Sequence, residues 1–239
     1  MKLFENEDVV ALDKPAGFSM ATSARAGDAG ARVVRRLLAA CGEPADPELR
    51  LVHRLDIGTS GVVLLARTDA AHRALSRALQ ERRARKTYRA LVWGRPVPRD
   101  GTWRDPLGRD PSDGRRMKVR RDGKGAVTGY RTAARLGPAA ELVLTPETGR
   151  THQIRVHAAA HGHPIVGDDL YGGATRWRGV REPKLRRALA QVARPLLHAE
   201  RIEIPELGLD VSAPLPQDHR AAVDALVRAA APTIRRTPA

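Results

Sequence analysis

Residues 53–61 read HRLDIGTSG and lead directly into an apolar run at 61–67, GVVLLAR. A short apolar run bounded by turn residues predicts a strand buried on both faces. The segment before it holds His, Arg, Asp, Thr and Ser within nine residues, whereas an ordinary turn needs only Asp and Gly. Spacing alone leaves two interpretations open. His53, Arg54 and Asp56 form a site at the lip of the strand, or Asp56 caps backbone N–H groups of a strand-entry turn.

The elements around this strand follow no regular β-α-β rhythm. Hydrophobic periodicity predicts further strands at 8–13, 87–93, 127–136, 141–145 and 196–204. It predicts helices at 31–41, 69–83, 151–161, 183–193 and 218–230. Residues 95–125 are rich in Pro, Gly, Asp and Arg and are interpreted as long loops around a small substructure. This order favours an α+β fold over a doubly wound sheet.

The charge balance is strongly basic. The chain has 239 residues, with 42 Lys plus Arg against 27 Asp plus Glu, and a formal net charge of +15. A small protein this basic is usually attracted to a polyanion, and nucleic acid is the first candidate. A genome that favours Arg and Ala is the alternative explanation, and composition alone does not separate the two.

Several classes of protein are excluded by what the sequence lacks. Cys41 is the single cysteine, so there is no internal disulfide and no cysteine-based zinc site. No apolar run approaches the ~20 residues of a membrane span, and no signal peptide core follows Met1. We therefore expect a cytoplasmic protein without membrane contact. P-loop and dinucleotide-binding glycine motifs are also missing.

A group of histidines raises the question of a metal site. The residues concerned are His152, His157, His161 and His163. No carboxylate lies in the same helical turn as the pair at 157 and 161, so we interpret them as core or capping histidines. We expect neither a metal nor a cofactor.

A second polar segment, ETGRTHQIRVH, occupies residues 147–157. Gly149 permits a sharp turn there, and Thr151 can cap the helix that follows. Arg155 then lies beside an apolar stripe of that helix, where a partly buried arginine needs a carboxylate partner. Asp56 is an attractive partner. The alternatives are an unpaired surface arginine or one that binds phosphate.

Four segments in this order resemble the RluA-type pseudouridine synthases. They are KPAG at 14–17, HRLDIGTSG at 53–61, KTYRALVWG at 86–94 and TGRTHQIRVHAAAHGHPIVGDDLYGG at 148–173, followed by LHA at 197–199. The resemblance extends over about residues 8–215. It implies a mixed, mainly antiparallel central sheet with flanking helices and a catalytic cleft. It also implies that uridine in RNA is converted into its C-glycoside isomer without cofactor or metal.

The resemblance also assigns roles to residues. Asp56 corresponds to the catalytic aspartate, Tyr88 to the tyrosine that packs against the target base, and Arg155 to the arginine that pairs with the aspartate. Arg54 is placed to enter the space left by a flipped-out base. Four further residues of the two polar segments are expected at RNA contacts: His53, Thr59, Arg150 and His152.

The chemistry of the reaction fits this set of residues. The C1′–N1 bond must break, the uracil must rotate, and a C1′–C5 bond must form, so the freed base needs a closed pocket with an aromatic wall. The carboxylate either attacks C1′ or removes a proton from C2′, and the sequence leaves both routes open. Arg155 would offset the cost of an ionised Asp56 in a partly desolvated pocket. A stacked uridine is unreachable, so it must flip out.

The domain plan predicted from the sequence is simple. We expect residues 1–231 to form one catalytic domain and residues 232–239 a loose tail. Because the KPAG segment begins at residue 14, we expect none of the N-terminal S4 domain that many relatives carry. The expected partner is ribosomal or transfer RNA, and we expect a monomer.

Two other functions are alternatives to this one. The first is a non-catalytic RNA-binding or rRNA-assembly protein, against which an intact set of Asp56, Tyr88 and Arg155 argues. The second is a glycosidase-like hydrolase, which would normally need a second catalytic carboxylate.

Overall fold

The computed structural model describes residues 1–21 and 29–230. Its α-helices are α1 (Ala29–Cys41), α2 (Asp69–Gln80), α3 (Gln153–Ala160), α4 (Pro183–Ala190) and α5 (Gln217–Ala230). Its strands are β1 (Lys2–Glu5), β2 (Val9–Lys14), β3 (Arg50–Leu51), β4 (Ser60–Ala66), β5 (Arg85–Trp93), β6 (Asp100–Trp103), β7 (Leu107–Arg109), β8 (Met117–Val119), β9 (Thr128–Leu136), β10 (Ala139–Pro146), β11 (Leu197–Ile204) and β12 (Leu209–Ser212). The predicted tail at 232–239 lies outside the described residues.

A ten-stranded sheet forms the centre of the molecule. Its main order is β1-β2-β4-β11-β5-β10-β9-β6, with β12 added to β11 and β3 added to β4. Strands β4 and β11 run parallel, whereas the other strand pairs of the described chain are antiparallel. Strands β7 and β8 form a separate hairpin. The predicted α+β fold with a mixed, mainly antiparallel sheet is confirmed.

The longer predicted elements are present, but several short strands were not predicted. Residues 95–125, interpreted as loops, contain β6, β7 and β8, and β1, β3 and β12 also lacked a sequence signal. These strands are two to four residues long. So short a segment holds too little alternation to be recognised, because distant partner strands determine its pairing.

Helices cover both faces of the sheet because successive strand residues point to opposite sides. On β2 and β4 one set of side chains packs beneath α2, including Val9, Val62 and Leu64. The alternate set packs beneath α1, including Val10, Val63 and Leu65. In the other half of the sheet, α3 covers one face of β5 and β10, and α4 with α5 covers the other. Among helices of the described chain, none is long and apolar enough for a bilayer.

One row of paired residues crosses the sheet at its centre. Lys14 pairs with Gly61, Gly61 with Ala199, Ala199 with Tyr88, and Tyr88 with Leu144. The row thereby brings together the first three family-like segments and the LHA segment. Gly61 has a φ of +113°, and a Cβ on it would lie 2.2 Å from the carbonyl oxygen of Ala199. Only glycine permits this backbone approach.

We expect Gly61→Ala to lower the free energy of unfolding by about 3 kcal/mol or more. The added methyl group meets both an unfavourable backbone conformation and a backbone oxygen that cannot move without separating β4 from β11. Urea denaturation followed by circular dichroism measures the loss.

Gly42→Ala is the matched control, because Gly42 has a φ of +75° but no heavy atom near its Cβ position. It should cost only about 1 kcal/mol, the penalty of the left-handed conformation. Equal losses for the two variants would show that the approach of β11 adds no constraint at Gly61.

Candidate active site

A cleft of about 560 Å³ is lined by the segment before β4, by β5 and by the turn between β10 and α3. Eight residues named from the sequence line this cleft: His53, Arg54, Asp56, Thr59, Tyr88, Arg150, His152 and Arg155. Five cationic side chains and two carboxylates contribute to the lining. The two polar segments therefore meet in space although about 90 residues separate them along the chain.

The loop that carries Asp56 is fixed by its backbone. The carbonyl oxygens of residues 56–58 accept hydrogen bonds from Thr59 N–H, Gly17 N–H and the Arg194 guanidinium, at 3.1, 2.7 and 3.2 Å. Leu55, which precedes Asp56, is buried in the core beneath α1. The Asp56 side chain keeps 20% of its surface exposed. A rigid loop thus presents one accessible carboxylate to the cleft.

Arg155 is shared by two carboxylates, and this differs from the expected pair. Its Nε and Nη2 donate to the two carboxylate oxygens of Asp168 at 2.7 and 2.9 Å. Its Nη1 lies 3.7 Å from Asp56 Oδ2. Asp168 is fully buried and also accepts hydrogen bonds from Leu170 N–H and Tyr171 N–H at 3.1 Å. Asp168, which the sequence analysis missed, makes the two-pronged contact, so Asp56 is left with a longer ion pair.

Tyr171 lies under Arg155 and connects it to His152. The Arg155 guanidinium carbon is 5.0 Å from the centre of the Tyr171 ring. The Tyr171 hydroxyl accepts from Met117 N–H at 2.9 Å and lies 2.8 Å from His152 Nδ1. Both contacts are satisfied when the hydroxyl donates to Nδ1 of a neutral His152. Burial, the largest effect, lowers the pKa of His152, which is consistent with that neutral form.

His152 has an unusual backbone conformation. Its φ is +55°, and it forms the N-cap of α3 without a side-chain capping bond. The predicted cap, Thr151, is therefore wrong. A non-glycine residue in the left-handed region at a cleft wall is a form of local strain that is common at functional sites.

Gln153 fixes the turn that carries Arg150. Its Oε1 accepts from the Thr148 hydroxyl at 2.6 Å and from Arg150 N–H at 3.0 Å. Its Nε2 donates to Val127 C=O and to Thr128 Oγ1, each at 2.9 Å. Gln153 is buried, and all four of its side-chain contacts hold the wall of the cleft. Nothing in the sequence pattern distinguished it from a surface glutamine.

Tyr88 forms an aromatic wall of the cleft. Its ring packs against the core beneath α1 and the core beneath α3. Burial raises the pKa of the Tyr88 hydroxyl, and the charge of Asp56 adds to the effect. The hydroxyl therefore stays protonated, and Tyr88 offers a neutral surface close to Asp56.

His53 and Thr59 support the loop as well as lining the cleft. His53 Nε2 accepts a hydrogen bond from Leu64 N–H at 3.0 Å. Burial and, after it, the charge of Lys86 lower the pKa of His53 to about 4, so the ring is neutral at pH 7. Thr59 is buried. Arg54 is exposed at the cleft. RNA contact by these three residues stays a prediction.

The other grouped histidines are engaged in hydrogen bonds, and His157 Nε2 and His161 Nε2 contact the backbone and side-chain oxygens of Asp105. His157 Nδ1 contacts Thr128 Oγ1 at 2.9 Å, and His161 Nε2 contacts Asp105 at 2.8 Å. His163 Nδ1 contacts Trp93 C=O at 3.0 Å. Within residues 1–21 and 29–230, no three metal-ligating side chains converge in an arrangement suited to a metal ion.

The structure thus places the half-buried carboxylate of Asp56, an arginine held by Asp168 and a neutral aromatic ring in one cleft. A carboxylate in this setting can act as a nucleophile or as a general base. The Arg155 guanidinium lies 3.7 Å from this carboxylate, and Asp168 fixes the direction of the guanidinium.

The chain is similar to known proteins over most of its length. Residues 8–160 match the RNA pseudouridylate synthase family. The chain is 41% identical over 231 residues to the ribosomal large subunit pseudouridine synthase D of Xanthomonas campestris pv. campestris, covering 94% of this chain and 68% of that protein. It is 43% identical over 213 residues to an uncharacterized RNA pseudouridine synthase of Chloroflexus aurantiacus, covering 86% of this chain and 63% of that protein. It spans about two-thirds of the length of these relatives.

Two solved human structures share the fold. Human RNA pseudouridylate synthase domain containing 4 superposes with a TM-score of 0.72 at 25% identity, over 95% of this chain and 92% of that one. Human RNA pseudouridylate synthase domain containing 1 superposes with a TM-score of 0.70 at 27% identity, over 99% of this chain and 95% of that one. The chain therefore belongs to the RNA pseudouridylate synthase family, in its RluA-type branch. The class of isomerase predicted from the sequence is confirmed.

We expect Asp168→Asn to lower the free energy of unfolding by about 3–5 kcal/mol. The substitution keeps the size of the side chain but removes the negative charge that the buried Arg155 contacts at 2.7 and 2.9 Å, and Asp56 stays 3.7 Å away. Denaturant unfolding monitored by fluorescence gives the loss.

The neighbouring Asp169→Asn is the control, because Asp169 is exposed and should change stability by less than about 0.5 kcal/mol. In a second control, Asp168→Asn combined with Arg155→Gln should be more stable than Asp168→Asn alone, because no unpaired charge remains. An Asp168→Asn protein as stable as wild type would contradict the buried pair.

Proposed function

We propose that this protein converts specific uridines of ribosomal RNA into pseudouridine, through a cofactor-free reaction that depends on Asp56. The observation that carries the proposal is the cleft in which Asp56 lies 3.7 Å from Arg155 and beside the Tyr88 ring. Ribosomal RNA is favoured because relatives from Xanthomonas, Nitrosomonas and Pseudomonas, 41%, 36% and 36% identical, are named ribosomal large subunit pseudouridine synthases. Transfer RNA is the alternative target.

The target nucleotide leaves its stack before the reaction begins. A uridine within a helix or a structured loop does not expose C1′ to a side chain, so the base must flip into the cleft. In this proposal Tyr88 receives the flipped uracil on its ring, and Arg54 fills the space that the base leaves. The supporting observations are the half-buried ring of Tyr88 and the exposed guanidinium of Arg54 at the same cleft.

Asp56 then begins the chemical change at the ribose. In one route its carboxylate attacks C1′, forms an acylal ester and displaces uracil as an anion from N1. In the other it removes the C2′ proton, and the electron pair forms a C1′–C2′ double bond as uracil leaves. In the first route C5 of the rotated uracil displaces the Asp56 carboxylate from C1′, and in the second C5 adds to C1′ of the double bond while Asp56 returns the proton to C2′. In both routes loss of the C5 proton then restores the uracil ring. Both need an ionised Asp56.

The remaining residues hold the participants in place. Arg155 orients Asp56 and is itself oriented by Asp168. The neutral Tyr88 wall limits escape of the freed uracil, which must stay long enough to rotate. Arg150 and His152 lie on the opposite wall of the cleft and are assigned to the RNA backbone. No step in this scheme uses a metal or a cofactor.

The same proposal covers the organisation of the chain. We take residues 1–231 as one catalytic domain, because the described residues on both sides of the cleft share one sheet. The monomeric state and the cytoplasmic location stay predictions.

Pseudouridine mapping tests the proposed target. Total RNA from cells that lack the protein is compared with RNA from cells in which it is restored. We expect one or a few ribosomal uridines to lose modification in its absence. Loss confined to transfer RNA would replace the ribosomal target, and unchanged pseudouridine in all RNA would contradict the enzymatic proposal in favour of a non-catalytic RNA-binding role.

We expect Asp56→Asn to reduce the single-turnover rate at least about 10³-fold, because the amide can neither attack C1′ nor accept the C2′ proton. RNA affinity should change little, since the substitution keeps the shape of the side chain. Quench-flow on a mapped RNA fragment, with binding measured in parallel, checks both statements. Asp169→Asn should retain wild-type turnover. A rate for Asp56→Asn within tenfold of wild type would remove Asp56 from the reaction.

A further inference from the structure

One end of the cleft has no role in the proposed reaction. Asp56, Tyr88 and Arg155 lie together, but the lining also extends to Arg82 and to Lys86. Lys86 and Tyr88 are two residues apart on β5, so their side chains leave the same face of the sheet about 6.6 Å apart. Lys86 therefore stands directly beside the place assigned to the target base.

Lys86 has no counter-ion in the described part of the chain. No side-chain hydrogen bond or ion pair within 4.0 Å involves its ammonium group there, although the residue is half-buried. The other buried lysine, Lys14, differs, because its Nζ donates to Pro15 C=O and Phe18 C=O at 3.0 and 3.1 Å. Burial lowers the pKa of Lys86, as expected for an ammonium group without an anionic partner. Binding of an anion beside the Lys86 ammonium group would therefore be favourable.

The surroundings of Lys86 are open and cationic. A Cβ on Gly149 would have Lys86 Nζ at 3.8 Å and no other heavy atom within 4 Å. The turn with Gly149 thus passes over the ammonium group without a side chain to cover it. Arg150 follows Gly149 in the chain. Its Nε donates a hydrogen bond to Gly125 C=O at 3.1 Å, which anchors the guanidinium at the rim of the cleft. Of the acidic residues lining the cleft, neither Asp56 nor Glu147 comes within 4.0 Å of Lys86 Nζ.

We propose that Lys86 binds a non-bridging oxygen of the phosphodiester adjacent to the target uridine, with Arg150 at the rim of the same anion site. RNA brings this anion with the base itself, because every nucleotide carries a phosphate beside its ribose. The contact fixes the depth to which the flipped nucleotide enters the cleft. This inference rests on the proposed function, since it concerns the substrate of that same cleft.

Lys86→Met tests the contact, with Lys184→Met as the matched control on the exposed surface of α4. We expect Lys86→Met to bind substrate RNA about tenfold more weakly. The slope of log affinity against log salt should fall by about 0.7, the value for one phosphate on single-stranded RNA. Lys86→Arg should keep the salt slope, and Lys184→Met should change neither quantity.

A scan with neutral phosphates identifies the partner. Single methylphosphonates are placed in turn on either side of the target uridine, in an RNA fragment on which the wild-type enzyme is active. At one position the wild type should lose about tenfold in affinity while Lys86→Met loses nothing further. That coupling also tells whether the contacted phosphate is 5′ or 3′ of the uridine.

The outcomes separate this inference from the proposed function. If wild-type enzyme modifies no RNA, the proposed function fails whatever Lys86 does. If the wild type is active and both proteins lose the same affinity at every methylphosphonate, the phosphate contact is wrong. It is equally wrong if Lys86→Met binds normally but slows the single-turnover rate, since Lys86 then acts on the base. Thermal unfolding of Lys86→Met should occur at or above the wild-type temperature, which shows that a binding loss is not a folding loss.

Discussion

The close approach of β4 to β11 at Gly61 determines where Asp56 and Tyr88 stand relative to each other. Without a side chain at Gly61, the carbonyl of Ala199 fits against the strand, and β11 can pair with β4 on one side and β5 on the other. Asp56 precedes β4 by four residues, and Tyr88 lies on β5 in the same row. Because strands are spaced about 4.8 Å apart, this pairing fixes the Tyr88 ring relative to the loop that carries Asp56.

A second constraint is electrostatic and acts at the other wall. Arg155 arrives from α3 and would be costly to bury alone. Asp168, from the segment after α3, accepts hydrogen bonds from two nitrogens of Arg155, and the Tyr171 ring lies below the guanidinium. The arginine is thus held before any substrate arrives, with Nη1 directed toward Asp56. A site prepared in this way needs little rearrangement when charge develops in the reaction.

The sequence predicted features that depend on consecutive residues, and it missed contacts that depend on residues far apart in the chain. The apolar run of β4 and the periodic stripe of α1 were recognisable because burial leaves a pattern in consecutive residues. The Asp56 and Arg155 segments were recognisable because their polar residues exceed the needs of a turn. Asp168 was missed because it lies in a segment that reads as a loop and its partner Arg155 is 13 residues away. The left-handed backbone conformation of His152 was not predicted, because such strain depends on tertiary packing.

The distribution of charge shows why composition alone could not locate the RNA surface. Several arginines are neutralised locally: Arg115 by Asp113, Arg120 by Asp122 and Arg201 by Asp210. Such exposed pairs add little stability, but they cancel much of the local field. In contrast, Arg54, Arg82, Lys86 and Arg150 line the cleft, and within residues 1–21 and 29–230 no carboxylate pairs with them. Part of the net charge of +15 is therefore available where the substrate must enter. A positive field at the cleft attracts RNA and surrounds the Asp56 carboxylate with cations.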